Sequence, residues 1–236
     1  MKKILAAMGL MTSLACSHQQ AAVKVDDSGL AQLNENEMAP VDDARIEEGR
    51  ARDAVAKAQA SEAQARARFD VAKSEREVSD AQLKRALAER DLMKKEYARR
   101  DAVARADSDV QAAQASIAAT DLKLRYLQQM IEVAAAERKA AEVHVNTAAA
   151  RTLQAKFQAM KTANAPQVEE INGGSIDRQL AEAQLAENGA QREAAEQRSK
   201  AVDLYNSWQK TDAQVRAMAQ PRNVPVPAPA QAEPAK

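Results

Sequence analysis

Residues 103–134 read VARADSDVQAAQASIAATDLKLRYLQQMIEVA. Within them Val103, Val110, Ile117, Leu124 and Ile131 recur every seven residues, with Ala106, Ala113, Leu127 and Ala134 at the positions between. That spacing is the a/d heptad of a helix that lies against another helix. Thr120 is the one polar residue in the second set, and it is tolerable on a seam whose neighbours are mostly small. A strict seven-residue repeat drifts around a straight helix and keeps facing its partner only by left-handed supercoiling.

Outward from this seam, residues 42–162 contain no proline and a single glycine, Gly49, and are filled with Ala, Glu, Gln, Lys and Arg. Those residues lose least on entering a helix. The expectation is one long helix over 41–162, about 180 Å from end to end at the α-helical rise. Asp107, Ser108 and Asp109 offer the caps that a hairpin at 104–109 would use, but no glycine or proline enforces one. Pro40 followed by Asp42 and Asp43 reads as the helix start, because aspartates suit the free amides of a first turn. The early part carries only Ile46 and Val55 as larger anchors; from Phe69 onward Val71, Val78, Leu83, Leu87, Leu92 and Tyr97 follow at mixed spacings.

The pattern stops at Thr162-Ala163-Asn164-Ala165-Pro166, and residues 163–175, with the pair Gly173-Gly174, read as a turn. Ser175 is the expected cap of a second helix over 176–220. On it Ile176, Leu180, Ala183, Ala190, Ala194, Ala201, Leu204, Trp208, Val215 and Met218 share one side. Folded back, this helix would cover the last third to half of the long rod, with Trp208 as its main packing anchor. The fold class is therefore all-α: a very long helix against a shorter C-terminal helix, a coiled-coil rod with disordered ends.

Composition agrees. Hydrophobic residues make up 45% of the 236, yet aromatics only 3%, so the apolar share is mostly alanine, which builds helices but buries little area. Lys plus Arg and Asp plus Glu balance at 34 each. That balance leaves no net field to attract nucleic acid. Lys94-Lys95 and Arg99-Arg100 alternate with Glu96 and Asp101, an ordinary helix surface.

Chemistry-bearing constellations are sparse. Cys16 is the only cysteine, and His18 and His144 are the only histidines, so no Cys/His metal spacing arises. Glu47-Glu48 and Glu169-Glu170 are acidic pairs, but acid and base work needs a desolvated pocket that an alanine-seamed rod does not supply. Gly173-Gly174 before a helix matches neither a P-loop nor a dinucleotide fingerprint. The reading is no enzyme, no cofactor and no metal.

The N-terminus, MKKILAAMGLMTSLAC, has a basic start, an apolar run and small residues before Cys16. It reads as a secretory signal, too short to remain as a transmembrane helix. Its end, Ser13-Leu14-Ala15-Cys16, resembles the lipobox of bacterial lipoproteins. The resemblance implies cleavage before Cys16, a signal peptide of residues 1–15, lipidation of Cys16 with acyl groups such as palmitate, and, because Ser17 rather than aspartate follows, an outer-membrane address facing the periplasm. Residues 16–40 read as a flexible polar tether that includes His18. Residues 221–236, RNVPVPAPAQAEPAK from Arg222, read as a Pro/Ala-rich disordered tail. The terminal Lys236 gives a resemblance to Braun's lipoprotein, which implies attachment of that side chain to peptidoglycan. The helical repeats also resemble the hairpins of periplasmic adaptor proteins and outer-membrane efflux factors, although no stretch supplies the β-rich modules of those families.

Two functions follow as expectations. The first is a lipid-anchored structural or tethering coiled coil of the cell envelope, with a tail placed to contact peptidoglycan; the alternative is a helical accessory subunit of an export or efflux assembly. Expected partners are the membrane, through the lipid on Cys16, and a second copy or a helical protein, because Val71, Val78, Leu83 and Leu87 would lie on uncovered rod.

Overall fold

A computed structural model describes Val25, residues 27–96 and residues 99–219. The described chain is all-α, with no strand among its residues: α1 Glu35–Lys95, α2 Arg100–Thr162 and α3 Gly173–Ala219, with short 3-10 turns at Asp27–Gln32 and Pro166–Glu170. The signal, Cys16, His18, the tail and Lys236 lie outside the described residues.

The expected single helix over 41–162 is two. α1 ends at Lys95 and α2 begins at Arg100, and the two run antiparallel. Moving down α2, Lys94 meets Asp107, Lys123 meets Glu75, Arg138 meets Glu62, and the Thr152 hydroxyl meets the Ala44 carbonyl. The reversal thus falls some ten residues before the 104–109 site. A shift in heptad phase marks it: the α1 repeat would place its next seam residue at 97, whereas the α2 repeat starts at Val103.

That α1 repeat is strict. Val41, Glu48, Val55, Glu62, Phe69, Arg76, Leu83 and Arg90 recur every seven residues, with Ala44, Ala51, Ala58, Ala65, Ala72, Ser79 and Ala86 between, and all of them are buried or half-buried against α2. The larger set alternates apolar with charged residues, while the smaller set is uniformly small. Small side chains let helix axes approach closely, and the hydroxyls exploit it: Thr152 Oγ1 donates to Ala44 O of α1, and Thr147 Oγ1 donates to Ala183 O of α3, both at 3.2 Å.

α3 runs back along α2, from Gln154 with Asp177 to Tyr126 with Trp208. It covers most of α2, not a fraction of a longer rod. The α2 residues facing it, among them Ala119, Val133, Ala136, Thr147, Ala150 and Phe157, are buried. They sit two positions after the α1-facing set, which is about 200° around a heptad helix. α1 and α3 therefore lie on opposite sides of α2, and the three helices form a layer with α2 in the middle.

At about 1.5 Å per residue, the 61-residue α1 and 63-residue α2 are each roughly 90–95 Å long and the 47-residue α3 about 70 Å. α3 stops about three turns short of the α1–α2 tip. The thick core sits at the other end, the base, where Val25, Leu30, Val41, Phe157, Met160 and Ile176 pack together.

Three boundaries are corrected there. The tether read over 16–40 is structured from Asp27, and α1 starts at Glu35, capped by a reciprocal box in which Asn34 accepts from the Glu37 amide and Glu37 accepts from the Asn34 amide, both 3.0 Å. Pro40 is inside α1, at its sixth residue, where it leaves the Asn36 carbonyl without its usual amide partner four residues on. α3 starts at Gly173, not at 176, and its cap is Asn172, whose Oδ1 accepts from the Ser175 amide at 3.2 Å. The turn is thus 163–172. It opens with Asn164 at φ 55°, its amide on Lys161 O and the Ala165 amide on Met160 O, the paired bonds that close a helix C-terminus on a left-handed residue.

Candidate functional site

Of the residues singled out in the sequence, those with chemistry at the termini, Cys16 and Lys236, are not positioned by the described residues. The structure does fix where the N-terminal segment enters. Val25 and Leu30 are buried in the basal core, and Asp27 accepts from Lys156 Nζ at 2.5 Å and pairs with Arg45 at 3.6 Å. A nine-residue step from Cys16 to Val25 reaches at most about 30 Å.

The acidic pairs are spent locally. Glu47 pairs with Arg50, Glu48 pairs with Arg52, and Glu169 and Glu170 are exposed in the 3-10 turn. Among the described residues no group of three His, Cys, Asp or Glu side chains could hold a metal ion. His144 lies on the α2–α3 seam, its Nδ1 2.9 Å from Glu187 Oε1, which also accepts from Gln191 Nε2 at 3.0 Å.

Gly173 has a packing role. A Cβ there would lie 2.6 Å from Phe157 Cζ, so the missing side chain is what lets the first turn of α3 sit on the ring. Gly29 meets the Met160 methyl in the same way. The first glycine of the pair is a contact of the base, and its place in the turn read from the sequence is corrected accordingly.

Two of the four charged members of the α1 seam, Glu62 and Arg76, are matched across it, whereas Glu48 and Arg90 pair within α1, with Arg52 and Asp91. Glu62, with its side chain mostly covered, accepts from Arg66 at 2.6 Å and from Arg138 at 2.8 Å, which holds its carboxyl below the ordinary range. Arg76 bridges Asp80 and Asp121, and these hydrogen bonds raise its guanidinium further above its usual value. Each buried charge thus has a partner, as the cost of removing an ion from water requires. The sequence signal was present as charge at every second seam position of α1, but it has meaning only once the facing helix is known.

Aromatic residues gather at one place on the α2–α3 seam. Tyr126 stacks on Trp208 with centroids 5.8 Å apart and interplanar angle 12°, and Tyr205 contacts both at 5.3 and 5.7 Å. Lys123 Nζ lies 6.0 Å from the Trp208 ring centre. Beside this cluster a groove of about 500 Å³ is lined by Tyr126, Met130, Val133, Val202 and Tyr205 and bounded by the Glu137–Arg198 pair at 2.7 Å. Trp208 therefore packs as a seam residue whose rings reach the layer's surface.

No described helix is long and apolar enough to cross a membrane. No family model, curated protein or solved structure matches the chain.

Proposed function

We propose that the chain is a lipid-anchored strut of the bacterial cell envelope, with the outer membrane as its base and the periplasm as its span. One observation carries this reading: the N-terminal segment is packed into the base while the α1–α2 tip stands about 90 Å away. A lipid on Cys16 would thereby hold one end of a stiff object and project the other. α3 also runs from base toward tip, so Ala219, the last described residue, lies at the end of the layer away from the base. That polarity suits a tail that meets peptidoglycan. The role is mechanical, and no residue is assigned a catalytic step. Self-association, or pairing with another helical protein, belongs to the same reading.

The test is radioactive palmitate labelling of the full chain and its Cys16→Ser variant, with fractionation of inner and outer membranes and isolation of cell-wall sacculi. Label lost in the variant and recovery of the wild type with outer membrane are the expected results. An unlabelled wild-type chain would remove the anchor and with it the strut. Covalent Lys236 linkage predicts muropeptide bound to the C-terminus.

The alternative, a helical accessory subunit of an export or efflux assembly, is favoured by the tip, where Leu92 and Met93 are exposed beside the reversal. Crosslinking in membranes separates the two: one dominant transporter or secretion partner at the tip supports the alternative, and cell-wall fragments support the strut.

A further inference from the structure

The outer edge of α1 carries a second seam that faces away from α2. On α2, the residues that receive α3 lie two positions after those that receive α1. The same phase on α1, two positions after Phe69, Arg76, Leu83 and Arg90, holds Val71, Val78, Arg85 and Leu92, with Ala67, Ser74, Ala81 and Ala88 at the small interleaved places. All eight are exposed, Val71 at 60% and Val78 at 57%. The pattern is a large-and-small heptad seam of the kind that α2 already fills twice.

We propose that this edge pairs with the same edge of a second copy, antiparallel, about a two-fold axis between Val78 and Ala81. The layers are then Val78 on Ala81, Val71 on Ala88, Ser74 on Arg85 and Leu92 on Ala67, each occurring twice by symmetry. Charge complementarity selects this register. Glu77 of one copy flanks Lys84 of the other, and Arg68 flanks Glu89, in the relation that Glu75 and Lys123 already hold beside the α1–α2 layers. Sliding by one heptad one way sets Glu77 against its own copy, and the other way sets Lys84 against its own copy. The one like-charged pair in the chosen register, Asp70 with Asp91, is eased by Arg90, which grips Asp91 at 2.7 Å. The equivalent phase of α3 holds Arg178, Arg192 and Asn206 beside Leu185, too polar to zip, so pairing through α1 yields a closed dimer in which the tip-side halves of the two layers overlap.

The register overlaps only the tip-side halves of the two α1 helices and sends the two bases to opposite ends, so the dimer goes beyond the strut reading, in which copies anchored in one membrane point the same way, and it does not depend on the lipid. The test is sedimentation equilibrium of the full chain in density-matched detergent, with circular dichroism to verify folding. The wild type is expected to be dimeric at about 10 μM. Val78→Glu is expected to raise the dimer dissociation constant at least about 100-fold, Lys84→Glu about tenfold, and the double swap Glu77→Lys with Lys84→Glu is expected to return it to within about threefold of the wild type. A wild-type monomer at about 100 μM, which would leave the edge to a different protein, overturns the proposal, and so does a dimer indifferent to Val78→Glu or a double swap that fails to restore it. Palmitate labelling is untouched by any of these outcomes, so failure of the edge and failure of the anchor are read separately.

Discussion

The base and the shaft of this molecule are held by different physics. At the base Met160 and Ile176 are 1% and 0% exposed, Val41 is fully buried, and Phe157 fits against a glycine, so large apolar side chains are withdrawn from water. On the α1 side of the shaft the buried positions are Ala51, Ala72 and Ser79, and the larger seam places alternate with Glu62, Arg76 and Arg90, set against Val110 and Leu127 as the large buried residues of α2. Burial of a residue such as Ile contributes about 1.5–3 kcal/mol, and an alanine much less. The difference teaches that the base supplies most of the cohesion, whereas the shaft supplies straightness and register. Alanine layers bring backbones close, and charge pairs say which residue lies opposite which.

The comparison can be broken most forcefully at the base. Ile176→Ala is expected to cost about 2–5 kcal/mol, because its cavity opens among Met160, Phe157 and Val41. Thermal melting by circular dichroism checks the size, and hydrogen exchange checks the place: protection should fall first around residues 27–41 and 157–180. Equal loss along the whole shaft would show that cohesion is not concentrated there.

A smaller effect is expected from the shaft's lack of room. Ala72 is 1% exposed between α1 and α2, and Ala72→Leu should destabilise by about 1–3 kcal/mol through overpacking. Exposed Ala56, given the same change, should leave the melting temperature nearly unmoved. If leucine at 72 stabilised, the close approach of the two helices would be wrong.

The smallest effect sharpens the electrostatic half. The Glu62 carboxyl, ordinarily near 4.5, is lowered first by its hydrogen bond from Arg66 and then by that from Arg138. A lowered folded-state value means that its contribution is fully present above about pH 4.5 and is lost as pH falls through the folded value. Asp80, ordinarily near 3.8 and lowered by Arg76, acts in the same sense further down. Melting followed from neutral pH into this acid range should decline in the wild type, and Glu62→Gln should start lower and decline less. Parallel curves for the two proteins would mean that Glu62 sets register without linking stability to pH.

Much of α2 and α3 could be read before the fold was known. Val110 and Leu127 are buried on the predicted seam, and Ile176, Leu180, Ala190, Ala194 and Ala201 are buried on α3. α1 was not legible in the same way, for a definite reason. Its seam places hold Glu48, Glu62, Arg76 and Arg90, which read as surface until Arg138 and Asp121, some 45 residues or more away, are set against two of them. Val71, Val78 and Leu92 drew the eye as anchors and are exposed, whereas Leu83 and Leu87 are half-buried. The reversal after Lys95 was hidden because neither glycine nor proline marks it. Asn172 and Asn34, the caps that do set boundaries, look no different from other polar residues until the amides they meet are in place.

By itself the sequence determined that this chain is helical nearly throughout the described residues, because alanine and long unbranched polar side chains lose little on entering a helix and nothing alternates as a strand would. Which helix lies on which, and where the long run turns back, only the tertiary structure decided. Alanine layers accept one another in any pairing, so direction and register rest on a few charges, two threonine hydroxyls and one glycine against a phenyl ring, and each of these acquires its meaning from a residue distant in the chain.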